Sequence, residues 1–233
     1  MIRRIATRAR RVVASPADRD SIRRNTRDDR HLRAVLAAAL ARDSRCVDVG
    51  ANVGGILKHM VQYAPEARHV AIEALPQLAN QLRARFPSVD VRAVAVSDHT
   101  GEAQFTHAID EPALSGLRAG KTAGHRVEKI TVPVRRLDDL IDFAPTFVKI
   151  DVEGAELQVL RGAERVLSTG PIVAFEHSNR LAPHFGTRPE QVHELLTDAG
   201  LRIYDMDGEG PLTADRFVAA FHAHTRFNWL ARV

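Results

Sequence analysis

The residues best suited to chemistry follow a short apolar run that predicts a buried strand. Asp48 lies in this run, Gly50, Asn52 and Gly54 come directly after it, and apolar residues then recur at helical spacing. A glycine-rich turn between a strand and a helix suits nucleotide-like cofactors, because the backbone can approach the ligand and the helix offers free N–H groups. The pattern predicts a cofactor site here, with a plain tight turn as the alternative.

The residue types in this turn distinguish two classes of cofactor. A dinucleotide fingerprint needs the pattern Gly-x-Gly-x-x-Gly to accommodate a pyrophosphate, and here Asn52 occupies the second glycine position. An acid such as Asp48 would repel a pyrophosphate but would attract a cation or an amine. S-adenosylmethionine carries both an ammonium and a sulfonium, so the turn favours this cofactor over NAD(P).

A second candidate residue, Glu73, ends the predicted strand 68–73 and lies 23 positions after Gly50. This spacing is close to the roughly 20 residues that precede the ribose-binding acid in βαβ nucleotide sites. A carboxylate there can accept hydrogen bonds from two neighbouring ribose hydroxyls. The next predicted strand, 89–96, is followed by Ser97 and Asp98, where an adenine edge could be bound.

A dense acidic stretch follows the buried strand that ends at residue 150. Asp151, Glu153 and Glu156 come first, and Glu176 and His177 end the next predicted strand. His177 is our first candidate for the general base because it titrates near neutrality, and Asp151 is the second. A structural role is the alternative for His177. We expect no metal, although Mg²⁺ bound by Asp151, Glu153 and Glu176 is an alternative.

Strands and helices alternate along the chain, which predicts an α/β fold with a doubly wound, mostly parallel sheet. Segments 201–204 and 217–222 are interpreted as a closing antiparallel hairpin. Ligands of such sheets bind at the carboxyl ends of the strands, so we expect the candidate residues to converge there. The irregular segment 107–126 is interpreted as a lid that faces the substrate.

The composition is that of an ordinary globular protein, with 45% hydrophobic and 27% charged residues in 233. Only 5% of the residues are aromatic, so no nucleic-acid stacking surface is evident and we expect no nucleic-acid partner. The lone cysteine, Cys46, and the lack of a long apolar run or secretory signal predict a cytoplasmic location. The oligomeric state stays open.

The N-terminal residues 1–27 contain nine arginines and are interpreted as a basic arm that precedes a domain of residues 28–233. Apolar residues could line one side of a short helix in the arm, with the arginines on the other side. This pattern allows contact with an anionic membrane surface. A solvated leader is the alternative.

Two motifs carry a resemblance to a known family. The runs VDVGANVG at 47–54 and VKIDVEGAE at 148–156 resemble the FkbM-type family of S-adenosylmethionine-dependent methyltransferases. The runs AIEALP at 71–76, AVSD at 95–98 and RLDDL at 136–140 agree with it. The resemblance covers roughly residues 45–205 and implies a seven-stranded, Rossmann-like class I methyltransferase fold. It also implies O-methylation of a hydroxyl on a sugar, glycolipid or polyketide-like natural product.

The resemblance also assigns roles by position. It implies that Asp48, Gly50 and Asn52 hold the methionine part of the cofactor. Glu73 would hold the ribose, and Val96 and Ser97 would flank the adenine. Asp151, Glu153 and Glu156 would line the cleft beside the reacting centre. We expect a small-molecule or a glycan- or lipid-linked acceptor. An NAD(P)-dependent oxidoreductase and a non-catalytic binding module stay open as alternatives.

Overall fold

Short buried strands alternate with helices in the first half of the chain. The computed structural model describes residues 16–110, 114–118, 125–223 and 226–233, with side chains from residue 26 onward. The first elements are α1 (Pro16–Ala39), β1 (Cys46–Val49), α2 (Leu57–Tyr63), β2 (Val70–Ile72), α3 (Pro76–Arg85) and β3 (Asp90–Arg92).

The second half adds a small antiparallel hairpin and then returns to alternating helices and strands. Its first elements are β4 (Ala95–Val96), β5 (Gly101–Ala108), β6 (Val127–Arg135), α4 (Leu137–Leu140), β7 (Phe147–Ile150), α5 (Glu156–Arg161), α6 (Glu164–Ser168) and β8 (Ile172–Glu176). A 3-10 turn (Ala182–Phe185), α7 (Pro189–Asp198), β9 (Arg202–Asp205), α8 (Ala214–His222) and β10 (Asn228–Arg232) complete it.

The main sheet has seven strands in the order β3-β2-β1-β7-β8-β10-β9. The pairs among β3, β2, β1, β7 and β8 are parallel, whereas β10 runs antiparallel to both β8 and β9. Strands β4, β6 and β5 form a separate three-stranded sheet. The predicted doubly wound, mostly parallel sheet with a terminal antiparallel element is confirmed. The strand order reverses between β1 and β7, and ligands of such sheets bind at this point.

The central strands are mostly apolar because helices cover both faces of the sheet, and the charged residues within β1 and β7 are Asp48 and Lys149. All four residues of β1 are buried, and Val47 and Val148 are fully buried neighbours in the β1–β7 ladder. Residues such as Val47, Val173 and Trp229 belong to one core cluster, while Leu36 and Phe147 belong to the cluster on the other face. The two core clusters pack against the paired strands β1 and β7, whose carboxyl ends therefore lie next to each other.

The predicted strand 217–222 is wrong, because this segment lies in helix α8. The hydroxyl of Thr213 accepts a hydrogen bond from the Arg216 N–H and caps the helix. Phe217 and Phe221 lie one turn apart and are both buried. The strand that pairs with β9 is β10 instead, so the closing elements are strand, helix and strand rather than a hairpin.

Other predicted segments are divided, extended or only partly described in the structure. The predicted strand 89–96 is divided between β3 in the main sheet and β4 in the small sheet. Helix α1 runs through residue 27, where the arm was expected to end, and residues 1–15 lie outside the described chain. In the predicted lid, residues 111–113 and 119–124 also lie outside it. No helix of the described ranges is long and apolar enough to cross a membrane.

Candidate active site

The glycine turn after β1 touches the turn after β7. Gly50 has a φ of 77°, and a Cβ added there would lie 1.9 Å from the carbonyl oxygen of Asp151. The N–H groups of Gly50 and Ala51 both donate to the carbonyl of Ile72. A glycine is required at position 50 because no side chain fits between the two turns. The sequence therefore brings the ends of β1, β2 and β7 into direct contact.

Glu73 is fixed by backbone N–H groups. Its Oε2 accepts from the N–H of Asn52 at 2.8 Å and its Oε1 from the N–H of Leu75 at 2.9 Å. Asn52 has a φ of 48°, a conformation that this contact helps to hold. Burial raises the pKa of Glu73, and the two backbone hydrogen bonds oppose that rise. Each oxygen keeps an accepting position for another donor.

A cavity of about 250 Å³ opens at this edge of the sheet. Its polar side chains come from four strand ends and include Asn52, Glu73, Asp151, Glu153 and Glu176. Its apolar side chains include Leu78, Val94, Ala95, Val96, Phe105 and Leu117. The cavity therefore has one carboxyl-lined part and one apolar part.

Three carboxyl groups crowd one side of this cavity. Burial raises the pKa of Glu153 to about 9, and the neighbouring charges of Asp151 and Glu156 act in the same direction. Burial also raises the pKa of Glu176 well above its ordinary value, and Asp151 and Glu153 add to the rise. A side-chain hydrogen bond to Asp151 also contributes to the raised pKa of Glu176, in which Glu176 is the donor. This side of the cavity holds protons near neutral pH.

Lys149 supplies positive charge beside the cluster. Its Nζ lies 3.2 Å from Asp151 Oδ2, 3.6 Å from Asp48 Oδ1 and 3.4 Å from the carbonyl oxygen of Gly50. Although burial opposes the charged ammonium, Asp151 and Asp48 raise the pKa of Lys149. Asp48 is fully buried, and burial raises the pKa of its carboxyl while Lys149 opposes the rise. Lys149 therefore joins the first predicted motif to the second.

A second cavity of about 430 Å³ lies on the other side of the glycine turn, against α1. It shares Gly50, Asn52 and Asp151 with the first cavity. Asp48 and Lys149 also line it, together with the α1 residues Thr26, Asp29, Leu32 and Arg33. Asp48 thus lines the second cavity, and Lys149 lies between it and Asp151 of the carboxyl cluster.

The described part of the predicted lid covers the first cavity. Ser115, Gly116 and Leu117 line it, and Gly116 exchanges two backbone hydrogen bonds with Thr106 of β5. The Ser115 hydroxyl accepts a hydrogen bond from the N–H of Ala108. The small sheet therefore holds residues 115–117 over the cavity.

Two predicted cofactor residues, Gly54 and Ser97, do not line either cavity. Gly54 has a φ of 77°, and a Cβ there would lie 2.6 Å from the ring of Phe86, so its place in the turn is set by packing against α3. The hydroxyl of Ser97 donates to Asp98, and its carbonyl lies against Gly162, where a Cβ would approach to 2.1 Å. Val96, the other predicted adenine neighbour, does line the first cavity.

His177, the first candidate base, does not reach the cavity. Its side chain is fully buried and stacks on the ring of Phe221, with centroids 4.9 Å apart. Glu176 lines the first cavity, and consecutive residues at a strand end point to opposite faces. The geometry therefore supports the alternative, a structural histidine, and leaves Asp151 as the predicted base that lies in the site.

Glu156 also points away from the cavity, because its Oε1 accepts hydrogen bonds from the N–H groups of Val152 and Gly154. The resemblance had implied that it lines the cleft. Within the described residues, no group of three or more His, Cys, Asp or Glu side chains is arranged to hold a metal ion. The alternative of Mg²⁺ bound by Asp151, Glu153 and Glu176 has no support from the structure.

Lys149 and the α1 residue Asp29 are site residues that the sequence reasoning missed. Lys149 stands two positions before Asp151, and residues at that spacing on a strand share a face. That signal was available in the sequence. The approach of α1 to the second cavity carried no local signal, because it depends on packing between distant segments.

The arrangement of the sheet is that of the class I S-adenosylmethionine-dependent methyltransferases. The crystal structure of methyltransferase FkbM from Methylobacillus flagellatus KT superimposes with a TM-score of 0.52 at 20% identity. The match covers 83% of this chain and 44% of that one. Residues 48–203 match the family described as the methyltransferase FkbM domain. The chain belongs to this family, as its two motifs predicted.

Several curated relatives are similar to this chain. The hexuronic acid methyltransferase AglP of Haloferax volcanii is 28% identical over 190 residues, which cover 76% of this chain and 72% of AglP. The 2-O-methyltransferase NoeI of Sinorhizobium fredii is 26% identical over 180 residues, or 69% and 74% of the two chains. The AMB antimetabolite synthetase AmbE of Pseudomonas aeruginosa is 27% identical over 204 residues, but the match spans 69% of this chain and 10% of AmbE.

Proposed function

We propose that this chain transfers a methyl group from S-adenosylmethionine to a hydroxyl of a small-molecule or a glycan- or lipid-linked acceptor. The observation that carries the proposal is the first cavity. It joins the glycine turn, the backbone-fixed carboxylate of Glu73 and the carboxyl group of Asp151 at the switch point of the sheet. Family membership supports the same reaction.

The residues of both cavities fit this cofactor. Asp48 is fully buried, and neither of its oxygens has a hydrogen-bond partner among the described residues. An ammonium group in the second cavity would supply one in addition to the 3.6 Å ion pair with Lys149, since a buried polar group without a hydrogen bond is costly. The free accepting positions of Glu73 suit a ribose diol, and Leu78, Val96 and Phe105 suit an adenine face. When bound, S-adenosylmethionine supplies the electrophilic methyl group.

Asp151 is the group we propose to take the proton that an acceptor hydroxyl loses. It lines both cavities, and its Oδ2 lies 3.2 Å from the ammonium nitrogen of Lys149. A side-chain hydrogen bond from Glu176 to Asp151 orients the Asp151 carboxyl group in the first cavity. Because His177 lies outside the cavity, we do not assign it this role.

The proposed acceptor is a hydroxyl of a sugar, a glycolipid or a polyketide-like natural product. The described lining of the first cavity offers several carboxyl groups, and these are good acceptors for the O–H groups of a polyol. AglP is named for a hexuronic acid and NoeI for a 2-O position, which is consistent with a sugar. The cytoplasmic location also remains a prediction.

The test is isothermal titration of the purified chain with S-adenosylhomocysteine. We expect micromolar binding, and at least about tenfold weaker binding by Asp48→Ala and by Glu73→Ala, because each loses about 1.4 kcal/mol or more of contact energy. Glu66→Ala is the matched control, since Glu66 is an exposed glutamate paired with Arg42. Circular dichroism melting checks that each variant is folded.

Equal affinity in the wild type and both variants would remove the site assignment. Binding of NADH, with no response to S-adenosylhomocysteine, would overturn the methyltransferase proposal in favour of the oxidoreductase alternative.

We also propose that the basic arm contacts an anionic membrane surface, as the arginines of residues 1–27 suggest. The test compares co-sedimentation with phosphatidylserine vesicles for the full chain and for a chain that begins at Pro16, the start of α1. We expect the shorter chain to remain in the supernatant at low salt. Equal sedimentation of both chains would exclude residues 1–15, which hold five of the nine arginines, as the contact.

A further inference from the structure

The turn between β7 and α5 has a conformation that needs outside support. Glu153 has a φ of 55° and Gly154 a φ of 105°. A non-glycine residue in this region is strained and persists only where its surroundings hold it. The turn presents Asp151 and Glu153 to the first cavity. The position of both carboxyl groups therefore depends on whatever holds the turn.

Glu156 supplies that support from the side away from the cavity. Its side chain is 1% exposed, and its Oε1 accepts from the N–H of Gly154 at 2.9 Å and from the N–H of Val152 at 3.3 Å. These two N–H groups flank Glu153 in the turn. A single carboxylate oxygen thus closes the turn around the residue with positive φ.

The imidazole of His177 lies next to Oε2, the other carboxylate oxygen of Glu156. Its Nδ1 lies 3.7 Å from Glu156 Oε2, and no hydrogen-bond partner of either ring nitrogen is found among the described residues. The main chain of His177 is held on both sides, because its N–H donates to Phe227 and its carbonyl accepts from the indole of Trp229. The imidazole is therefore a fixed polar neighbour for a buried carboxylate.

We propose that Glu156 is a positioning residue, backed by His177, that sets the turn carrying Asp151 and Glu153 at the cavity. This inference rests on the proposed function for the role of the cavity. The contact between turns makes the positioning consequential, because the carbonyl of Asp151 lies directly against Gly50. A displaced β7–α5 turn would alter both cavities at once.

The experiment compares Glu156→Gln with Glu156→Ala. Glutamine keeps an acceptor oxygen for the two N–H groups, and alanine does not. Hydrogen–deuterium exchange of the Val152 and Gly154 amides should stay within about threefold of wild type in Glu156→Gln and rise at least about tenfold in Glu156→Ala. S-adenosylhomocysteine affinity should follow the same order, with rescue by glutamine. Glu164→Ala is the matched control, because Glu164 is an exposed acid in the first turn of the next helix.

His177→Phe tests the second half of the proposal. We expect it to weaken S-adenosylhomocysteine binding about threefold to tenfold. The double variant Glu156→Ala with His177→Phe should bind no more weakly than Glu156→Ala alone, because His177 acts through Glu156. Additive losses would overturn the role of His177 as backing for Glu156.

The exchange measurement separates this proposal from the proposed function. Unchanged amide exchange in Glu156→Ala would overturn the positioning role, whatever the affinity. The expected exchange pattern without any S-adenosylhomocysteine binding by the wild type would uphold the role of Glu156 in the turn and overturn the proposed function instead. A loss of melting temperature in folded variants with unchanged affinity would show a purely structural role.

Discussion

The two polar walls of the first cavity are held in different ways. On one wall, Glu73 is fixed by two backbone N–H groups at 2.8 and 2.9 Å, from Asn52 and Leu75. On the other wall, Asp151, Glu153 and Glu176 crowd together, and Lys149 is paired with Asp151. Backbone donors do not titrate or change rotamer, whereas a cluster of carboxyl groups redistributes its protons with pH.

The difference separates a binding wall from a wall suited to proton transfer. Glu73 is arranged to present the same oxygens to any ligand that carries a diol. In the cluster around Asp151, burial and the neighbouring carboxyl groups raise the pKa of Glu153 to about 9 and that of Glu176 well above its ordinary value, so these side chains keep protons that exposed glutamates would release. Removal of charges should therefore disturb the second wall much more than the first.

Lys149→Met should give the largest effect. It leaves the fully buried Asp48 without the ammonium at 3.6 Å, and breaking a buried ion pair costs about 3–5 kcal/mol. The loss should be smaller at pH 5 than at pH 8, because Asp48 can then take up a proton in the folded state. Urea unfolding, followed by the fluorescence of Trp229, the one tryptophan, measures the change.

Lys129→Met is the matched control for this prediction, since Lys129 is an exposed lysine on β6, and it should change stability by no more than about 0.5 kcal/mol. Adding Asp48→Asn to Lys149→Met should recover part of the loss. If the two lysine variants lose equal stability, the ion pair does not support the second wall.

The ends of the central strands could be predicted from the sequence because buried parallel strands are continuous apolar runs. The runs before Gly50, Glu73 and Asp151 predicted strands that the structure confirms as β1, β2 and β7. Parallel topology then places the carboxyl ends together, so the approximate location of the site followed. The family motifs added the class I methyltransferase type of the fold and agreed with the cofactor that the turn residues favoured.

The face to which each side chain points could not be predicted equally well. Glu176 and His177 both stand at the end of β8, but a shift of one position reverses the face, and Glu176 rather than His177 lines the cavity. The strand prediction for 217–222 was wrong for a related reason. A short apolar run fits either a strand or a buried helix, and its periodicity alone does not distinguish the two. The cap at Thr213 and the paired Phe217 and Phe221 were the signals for a helix.

Glu153→Gln should give the smallest effect and the clearest pH signature. Burial, with Asp151 and Glu156, raises the pKa of Glu153 from 4.5 to about 9. Between these pH values the folded state holds a proton that the unfolded state has released, so this group lowers the free energy of unfolding as pH rises.

Glutamine keeps the neutral form, so the variant Glu153→Gln should match wild type at pH 5 and exceed its stability by at least about 1 kcal/mol at pH 8.5. Urea unfolding from pH 5 to 8.5 measures this difference in stability. Glu102→Gln is the control, because Glu102 is an exposed glutamate of β5. Parallel stability curves for wild type and Glu153→Gln would mean that Glu153 is ionised in the folded chain, and that the second wall differs from the first in geometry but not in proton affinity.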